Sequence, residues 1–541
     1  MIRLDKKQKF TDRRLFIIIF ALTVTIFIFT TDGHRNTFDE DPISQQALRI
    51  STWSPHPDYI QGESRLYFEY ERFKLNANSP VCINGILCSN ASVMQSLTQL
   101  PFILINQNLN ILTEETIFLS GEDFDDQHYV WWRNTLAPEL IFMELLYGPV
   151  FSALSVGVLF LISRTFNFSQ RTSITLAILY GFTTFTWAYS QSSLNIVPST
   201  FFILLGFLYF RKFLSKNNYL HLILCSVILG VGFLIRQDVV IFALPIFLYL
   251  MLHLKKNRIK TAISYLTPLA LCYGILRLIT MVKFAPGTSK ASAVVEGYAG
   301  GAAFQETAVV SELLLNVWRK TPVLSVLLDN PFHIGGFGLL FAPGVGLFVF
   351  CPILLLVFLS FPDFFKRNKP ECILLIVFFG SFIYHYGTLE TWHGLVAWGP
   401  RYLMPIIPFL ILTIGATIEK RKNYGIKIPL IVLAVVGGII NILYIFQDVN
   451  WFIWSWPGHA GLFGIDKLVD GVRNALNLDP SVIWTFQYSQ LTHAFLGLWN
   501  NDHDIFLLRV LSPVWYICGF VLSLSIILYS MVVRNLSVLK R

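Results

Sequence analysis

Charged residues are scarce in this chain. Asp, Glu, Lys and Arg make up 14% of its 541 residues, whereas soluble globular proteins carry about 25%. Apolar residues account for 54%, and they occur in long runs rather than in the alternating pattern of soluble domains. These proportions exclude a soluble globular protein and a disordered chain. They predict a polytopic membrane protein of the all-α class.

Cysteines and the motifs of common soluble enzymes are scarce too. The seven cysteines are too few and too scattered for a disulfide framework, and only Cys82 and Cys88, which flank a turn, are candidates for a bridge. The sequence has no Walker loop, dinucleotide-binding glycine fingerprint, HExxH motif or serine elbow. The net charge of +8 would suit a nucleic acid. Membrane topology explains it better, so no nucleic-acid partner is expected.

Runs of about 17–25 apolar residues predict the membrane spans. About twelve runs fit that template, and the first follows an N-terminal segment rich in Lys and Arg. Most other basic residues fall in every second connection, which the positive-inside rule assigns to the cytoplasm. A multi-pass protein of the plasma membrane with both termini in the cytoplasm is therefore expected. The predicted spans are 15–31, 140–162, 173–190, 195–210, 219–235, 239–254, 262–282, 344–361, 372–387, 402–418, 428–447 and 508–533.

The predicted extracytoplasmic segments are large, whereas the cytoplasmic connections are short. The first large loop mixes aromatic and acidic residues without a run long enough to span, which indicates amphipathic helices at the membrane interface. Because the large segments face one side only, we expect the active site there. The predicted organisation is a cytoplasmic N-terminus (1–14), a first span (15–31), a large loop with an acidic motif (32–139), spans two to seven (140–282), a second loop (283–343), spans eight to eleven (344–447), a third extracytoplasmic segment (448–507) and a last span with a cytoplasmic tail (508–541).

Three consecutive carboxylates, Asp39-Glu40-Asp41, follow the first span by a few residues. Like charges close to a low-dielectric boundary raise one another's pKa, which suits proton transfer near neutral pH. The alternative interpretation is a solvated acidic loop. The three acids are therefore candidate catalytic residues.

Two arginines lie at predicted extracytoplasmic ends of spans. Arg401 stands at the mouth of the tenth span, immediately before Tyr402, and Arg236 follows the fifth span. Arginine binds phosphate through a planar fork of donors, so either residue suits a lipid phosphate at the depth of the headgroups. A snorkelling anchor is the alternative for Arg401, and a turn-shaping ion pair with Asp238 is the alternative for Arg236.

Taken together, these segments resemble the GT-C superfamily of membrane glycosyltransferases. The resemblance is to the lipid-phosphate-sugar-dependent group related to protein mannosyltransferases and bacterial arabinosyl and aminoarabinosyl transferases. It rests on the Asp39-Glu40 pair, on segments 90–101 and 234–236, and on segments 343–348 and 398–403. The chain departs from the family in its third acid, Asp41, and in His393, which stands where small glycines are common.

The resemblance implies an inverting transfer of a sugar on the extracytoplasmic face. The donor would be an undecaprenyl- or dolichyl-phosphate sugar, and the acceptor a glycan, a lipid or a protein. Asp39 is implied as the general base, with the choice among Asp39, Glu40 and Asp41 left open. A lipid-linked glycan transporter or flippase, or a glycan polymerase or ligase, is the alternative function. A transporter is disfavoured because the sequence shows no internal repeat.

The same resemblance assigns the donor phosphate chiefly to Arg401. Arg236 and His393 are lesser candidates for that contact, and Tyr402 adjoins Arg401 in the same motif. No organic cofactor is implied and no metal ligand is assigned. The acidic run leaves open a divalent cation, Mg²⁺ or Mn²⁺, because carboxylate oxygens are the ligands these ions prefer.

Overall fold

The computed structural model confirms the all-α class for the residues it describes. These are 6–31, 40–54, 92–112, 138–254, 257–283, 332–389, 392–394, 398–420, 424–446, 483–497, 505, 507 and 515–525. Cys82 and Cys88 lie outside them. The helices are α1 (Lys6–Phe29), α2 (Glu40–Ser51), α3 (Val93–Leu109), α4 (Pro138–Thr165), α5 (Gln170–Phe182), α6 (Ile196–Lys216), α7 (Tyr219–Ile235), α8 (Val240–His253), α9 (Arg258–Lys283), α10 (Phe332–Phe341), α11 (Leu347–Phe350), α12 (Leu356–Arg367), α13 (Lys369–Gly387), α14 (Ile407–Glu419), α15 (Tyr424–Ile445), α16 (Gln490–Gly497) and α17 (Trp515–Ser525).

Six helical segments in this part of the chain are long and apolar enough to cross a membrane. Four shorter apolar helices accompany them, so the described residues form a bundle suited to a membrane, and the predicted count of twelve spans stays a prediction. The six are Pro138–Thr165, Ile196–Lys216, Arg258–Val282, Lys369–Gly387, Arg401–Glu419 and Ile426–Ile445. The four are Tyr219–Ile235, Gln237–His253, Phe332–Phe341 and Trp515–Ser525.

The predicted span 173–190 is not one continuous helix. Helix α5 ends at Phe182, and the next two hydroxyls bond back to carbonyls of its last turn. Thr183 Oγ1 donates to the Leu179 carbonyl at 2.6 Å, and Thr184 Oγ1 donates to the Tyr180 carbonyl at 2.7 Å. Such local bonds compete with helix continuation. The chain then turns into a 3₁₀ segment, Ala188–Gln191.

The predicted span 344–361 is also interrupted. Helix α11 ends after one turn, because Pro352 has no backbone N–H to donate and its ring obstructs the preceding turn. A short 3₁₀ segment, Pro352–Leu355, leads into α12. Helix α10 adds an apolar element inside the segment that the sequence predicts to be extracytoplasmic.

Phenylalanine fills the centre of the bundle. The Phe242 ring of α8 lies 4.8 Å from that of Phe378 in α13, and the Phe207 ring of α6 lies 5.0 Å from that of Phe409 in α14. These four helices therefore share one aromatic core. Helices α9 and α15 instead expose large apolar side chains on the outside, as expected for surfaces that contact lipid: Ile259, Leu278, Ile428 and Ile431.

One end of the bundle carries ion pairs between helix ends. Arg164, in the last turn of α4, donates from Nε to Asp12 Oδ1 at 3.1 Å. The ends joined in this way are those that the positive-inside rule assigns to the cytoplasm. The pairs are Asp12–Arg164, Arg211–Glu371 and Asp363–Lys420.

The opposite end gathers the helix ends that the sequence predicts to be extracytoplasmic. Gln191 Nε2 donates to the Thr30 carbonyl after α1 at 2.5 Å. Helices α2 and α3, both from the predicted first loop, pack together here through a bond from Ser96 Oγ to Gln46 Oε1 at 2.8 Å. The first turn of α3 is tied to the end of α7, where Ser92 Oγ donates to the Leu234 carbonyl.

Candidate active site

A buried ion pair lies where α7 ends. Arg236 leaves the helical conformation (φ −149°, ψ 121°), although its backbone N–H still donates to the Gly232 carbonyl at 2.8 Å. A 3₁₀ turn, Gln237–Val239, follows at once. This turn places Asp238 beside the arginine, whose Nε donates to Asp238 Oδ2 at 2.7 Å.

Two other elements hold the same guanidinium. Arg236 Nη1 donates to Asn195 Oδ1 at 2.8 Å, just before α6. Its Nη2 donates to the hydroxyl of Tyr386, at the end of α13, at 2.7 Å. That hydroxyl in turn donates to Asp238 Oδ2 at 2.5 Å. Arg236 is therefore fixed on three sides, and its charge is matched by a buried carboxylate.

Arg401 joins this group through a second tyrosine. The Tyr402 ring stacks on the Tyr386 ring with centroids 4.5 Å apart and an angle of 7° between planes. The Arg401 Cζ lies 5.3 Å from the Tyr402 ring centroid, and the Arg236 Cζ lies 5.8 Å from it. Both arginines are buried, with 6% and 7% of their surface exposed. We call Arg236, Asp238, Tyr386, Arg401 and Tyr402 the arginine cluster.

His393 lies next to this cluster along the chain. Gly394 has φ +75°, and a Cβ built there would lie 3.2 Å from Arg401 Cγ, so the aliphatic part of Arg401 packs on the glycine backbone. His393 is buried, and its ring meets the Trp392 ring edge-on at 5.7 Å. The structure thus brings Arg236, Arg401 and Tyr402 together and places His393 beside them. The role of each in binding phosphate stays a prediction.

The acidic run lies at the edge of what the structure describes. Asp39 is outside the described residues, and Glu40 and Asp41 form the first turn of α2 with side chains that are not described. Helix α2 is fixed on α3 by Ser96, whose Oγ also contacts the Ile43 carbonyl at 3.0 Å. The start of α2 is therefore anchored to the same end of the bundle as the arginine cluster.

Glu144 lies in α4 with 1% of its surface exposed, and it is not among the residues predicted from the sequence. Ser193 Oγ donates to Glu144 Oε1 at 3.1 Å, and Gln95 Nε2 donates to the Ser193 carbonyl at 2.8 Å. An acid within the apolar run 140–162 is a signal that could have found it, since intramembrane charges tend to be functional. Tyr386 gave no such signal, because a tyrosine in an apolar run looks like a core residue.

Within the described residues, no three His, Cys, Asp or Glu side chains are grouped closely enough to hold a metal ion. The side chains of the acidic run are not among those residues, so a cation there stays a prediction.

Comparison with known proteins supplies a family match. Residues 139–278 match the family described as dolichyl-phosphate-mannose-protein mannosyltransferase. Glu144, Asn195, Arg236 and Asp238 fall inside the matched segment, whereas Arg401 and the acidic run fall outside it. No curated protein sequence matches the chain.

Among solved structures, the chain is similar to the archaeal oligosaccharyltransferase AglB from Archaeoglobus fulgidus, in complex with an inhibitory peptide and a dolichol-phosphate. The two share 10% sequence identity with a TM-score of 0.45, and the alignment covers 84% of this chain but 59% of that one. The family match and the all-helical membrane architecture confirm the resemblance stated from the sequence. Over residues 139–278, the chain is similar to the dolichyl-phosphate-mannose-protein mannosyltransferases.

Proposed function

We propose that this protein is a membrane glycosyltransferase of the GT-C superfamily, which moves a sugar from a polyprenyl-phosphate donor to an acceptor hydroxyl on the extracytoplasmic face of the plasma membrane. The observation that carries the proposal is a pair of buried arginines, Arg236 and Arg401, whose guanidinium carbons both lie within 5.8 Å of the Tyr402 ring centroid. They lie at the bundle end away from the basic helix ends. A buried guanidinium pair suits a phosphate that arrives at headgroup depth with its tail between helices. The name of the matched mannosyltransferase family is consistent with such a donor.

The two arginines would have different roles in binding the donor. Arg236 donates to Asp238, Asn195 and Tyr386, so it orients the tyrosine pair and keeps the cluster rigid. Arg401 would contact the phosphate itself. As the sugar leaves, negative charge builds up on the phosphate oxygens, and a preorganised guanidinium stabilises that charge more than it stabilises the bound donor.

The acidic run would supply the general base. The carboxylate of Asp39 takes the proton from the acceptor hydroxyl, whose oxygen attacks the anomeric carbon on the face opposite the phosphate. The bond between that carbon and the phosphate oxygen breaks, its electron pair stays on the phosphate, and the configuration inverts. Glu40 and Asp41 remain alternative bases. The acceptor is a glycan, a lipid or a protein, and no step is assigned to a cation.

Sugar transfer by purified protein tests this proposal. We would reconstitute the protein in nanodiscs with radiolabelled dolichyl- or undecaprenyl-phosphate mannose, and supply acceptor as membranes from cells that lack the protein. Arg401→Gln should lower the rate of transfer about 100-fold or more, the typical effect of removing one donor to a developing oxyanion. Asp39→Asn should abolish transfer, because its amide cannot accept the proton.

Lys420→Gln is the matched control, since it removes a cation at the opposite end of the bundle, where Lys420 pairs with Asp363. It should transfer sugar at the wild-type rate. Failure of the wild-type protein to transfer from any polyprenyl-phosphate sugar would refute the function. A wild-type rate in Arg401→Gln would remove that residue from the mechanism.

A further inference from the structure

A second buried polar group lies beside the arginine cluster. It contains Glu144 of α4, Ser193 of the connection before α6, and Gln95 and Gln99 of α3, and we call these four residues the polar cluster. Glu144, Ser193 and Gln95 are joined by the hydrogen bonds given above. One helical turn further along α3, Gln99 has no exposed surface.

The side-chain amide of Gln99 is buried without a hydrogen-bond partner among the described residues. Neither its oxygen nor its nitrogen has a hydrogen-bond partner among the described residues, and the same holds for Gln95 Oε1. Gln99 lies between Gln95 and Ile103 on the buried strip of α3. Ile103 belongs to the same buried apolar cluster as Met143, the residue that precedes Glu144 in α4. Buried side-chain amides in native proteins nearly always have partners. These orphaned groups therefore point to a polar ligand of the cluster.

The chemistry of the cluster selects the kind of ligand. The Glu144 carboxylate disfavours a phosphate, because like charges repel strongly in a low-dielectric interior. Two amides and a carboxylate instead suit hydroxyl groups, which donate and accept at once, as the amides do. A hydroxyl that donates to a carboxylate makes a charge-assisted bond.

The cluster also lies between the two parts of the proposed active site along a continuous series of contacts. On one side, Ser193 is two residues from Asn195, which accepts from Arg236 Nη1. On the other side, α3 is bonded through Ser96 to α2, whose first turn carries Glu40 and Asp41. In the proposed reaction, the sugar lies between the phosphate and the base.

We infer that the polar cluster binds the hydroxyl groups of the donor sugar and so selects which sugar is transferred. The inference rests on the proposed function. Glu144, Gln95 and Gln99 are on this view specificity-determining residues, and the arginine cluster binds the phosphate independently of the sugar. Removal of the cluster's polar groups should therefore weaken binding of sugar-bearing lipid and leave binding of bare lipid phosphate unchanged.

The test compares two lipids with the same tail. Affinities for dolichyl phosphate and for dolichyl phosphate carrying mannose or glucose are measured by native mass spectrometry of the full chain in nanodiscs. The wild-type protein should bind the better of the two sugar lipids about tenfold more tightly than dolichyl phosphate, as expected when buried groups gain partners. Glu144→Gln and Gln99→Leu should each lose most of that preference.

Gln107→Leu is the matched control. Gln107 lies two turns beyond Gln99 on the same helix and donates to Ser51 Oγ at 2.9 Å, away from the cluster. It should keep the wild-type preference. The midpoint of thermal unfolding of each variant reports whether the protein is folded.

The outcomes separate the two proposals. An unchanged preference in both cluster variants, or an equal loss for both lipids, would overturn the inference and leave the proposed function standing. The same holds if the wild-type protein binds and transfers sugar but shows no preference over bare lipid. Failure of the wild-type protein to bind any of the lipids would instead refute the proposed function.

Discussion

Asp238 compensates the buried positive charge of Arg236 at the end of α7. Its Oδ2 accepts from both Arg236 and Tyr386, and its side chain is shielded from solvent. Removal of one partner from a buried ion pair leaves an uncompensated charge in a low-dielectric interior. Such changes typically cost about 3–5 kcal/mol of stability.

We therefore expect Asp238→Asn to destabilise the protein by about 3 kcal/mol or more. The midpoint of thermal unfolding of the protein in detergent should fall clearly below that of the wild type. Lys420→Gln breaks an ion pair in which the lysine is 47% exposed, and exposed pairs contribute about 0–1 kcal/mol. Equal midpoints for the two variants would contradict the view that Asp238 supports the cluster.

Charge made the residues of the arginine cluster partly predictable. Arg236 and Arg401 stand out in the sequence because they are cations at predicted extracytoplasmic ends of apolar runs. Glu144 and Tyr386 were not predicted from the sequence, each for its own reason. A single carboxylate does not break an apolar run, and a tyrosine at a helix end is indistinguishable from a core residue until its hydroxyl is seen to join two charges.

At the scale of elements, the connection before α6 holds both clusters in place. The 3₁₀ turn Ala188–Gln191 packs against Gly148 of α4, and a Cβ on that glycine would lie 2.3 Å from the Ser190 carbonyl oxygen. Close approach of two backbones is possible only because glycine has no side chain. A few residues later, Ser193 and Asn195 bond to Glu144 and Arg236 respectively.

Gly148→Ala should accordingly force α4 away from this turn. Overpacking against a backbone carbonyl costs about 1–3 kcal/mol, and the displaced connection should also slow sugar transfer. Both effects can be read from the unfolding midpoint and the transfer assay. Gly274→Ala in α9 is the matched control, since a Cβ there meets no atom within 4 Å. If the Gly148 variant behaves like this control, the connection does not position the clusters.

Helices were easier to predict than their interruptions. Average hydropathy over about 20 residues finds segments that can span a membrane, and α4, α6 and α13 lie close to predicted spans. Average hydropathy is insensitive to single hydrogen bonds. The hydroxyls of Thr183 and Thr184 follow α5 and donate to carbonyls of its last turn, where the helix ends. Pro352 also interrupts a predicted span, because the predicted boundaries follow composition rather than backbone hydrogen bonds.

At the scale of the whole molecule, the buried or paired charged side chains described above lie mainly at two ends of the bundle. One end carries the ion pairs of the predicted cytoplasmic helix ends, such as Arg164 with Asp12. The other carries the arginine cluster, the polar cluster and the start of α2. The positive-inside rule predicts that the first of these ends is cytoplasmic. Which side chains pair depends on how the helices cross, and the sequence does not give that.

A structure of the full chain in nanodiscs with a polyprenyl-phosphate bound tests the proposed phosphate site most directly. We predict density for the phosphate within hydrogen-bonding distance, about 3 Å, of the Arg401 guanidinium. The tail should leave between helices into the bilayer, and the acidic run should face the phosphate across the polar cluster. Phosphate bound at the opposite end, or a lipid headgroup remote from Arg401, would contradict the account.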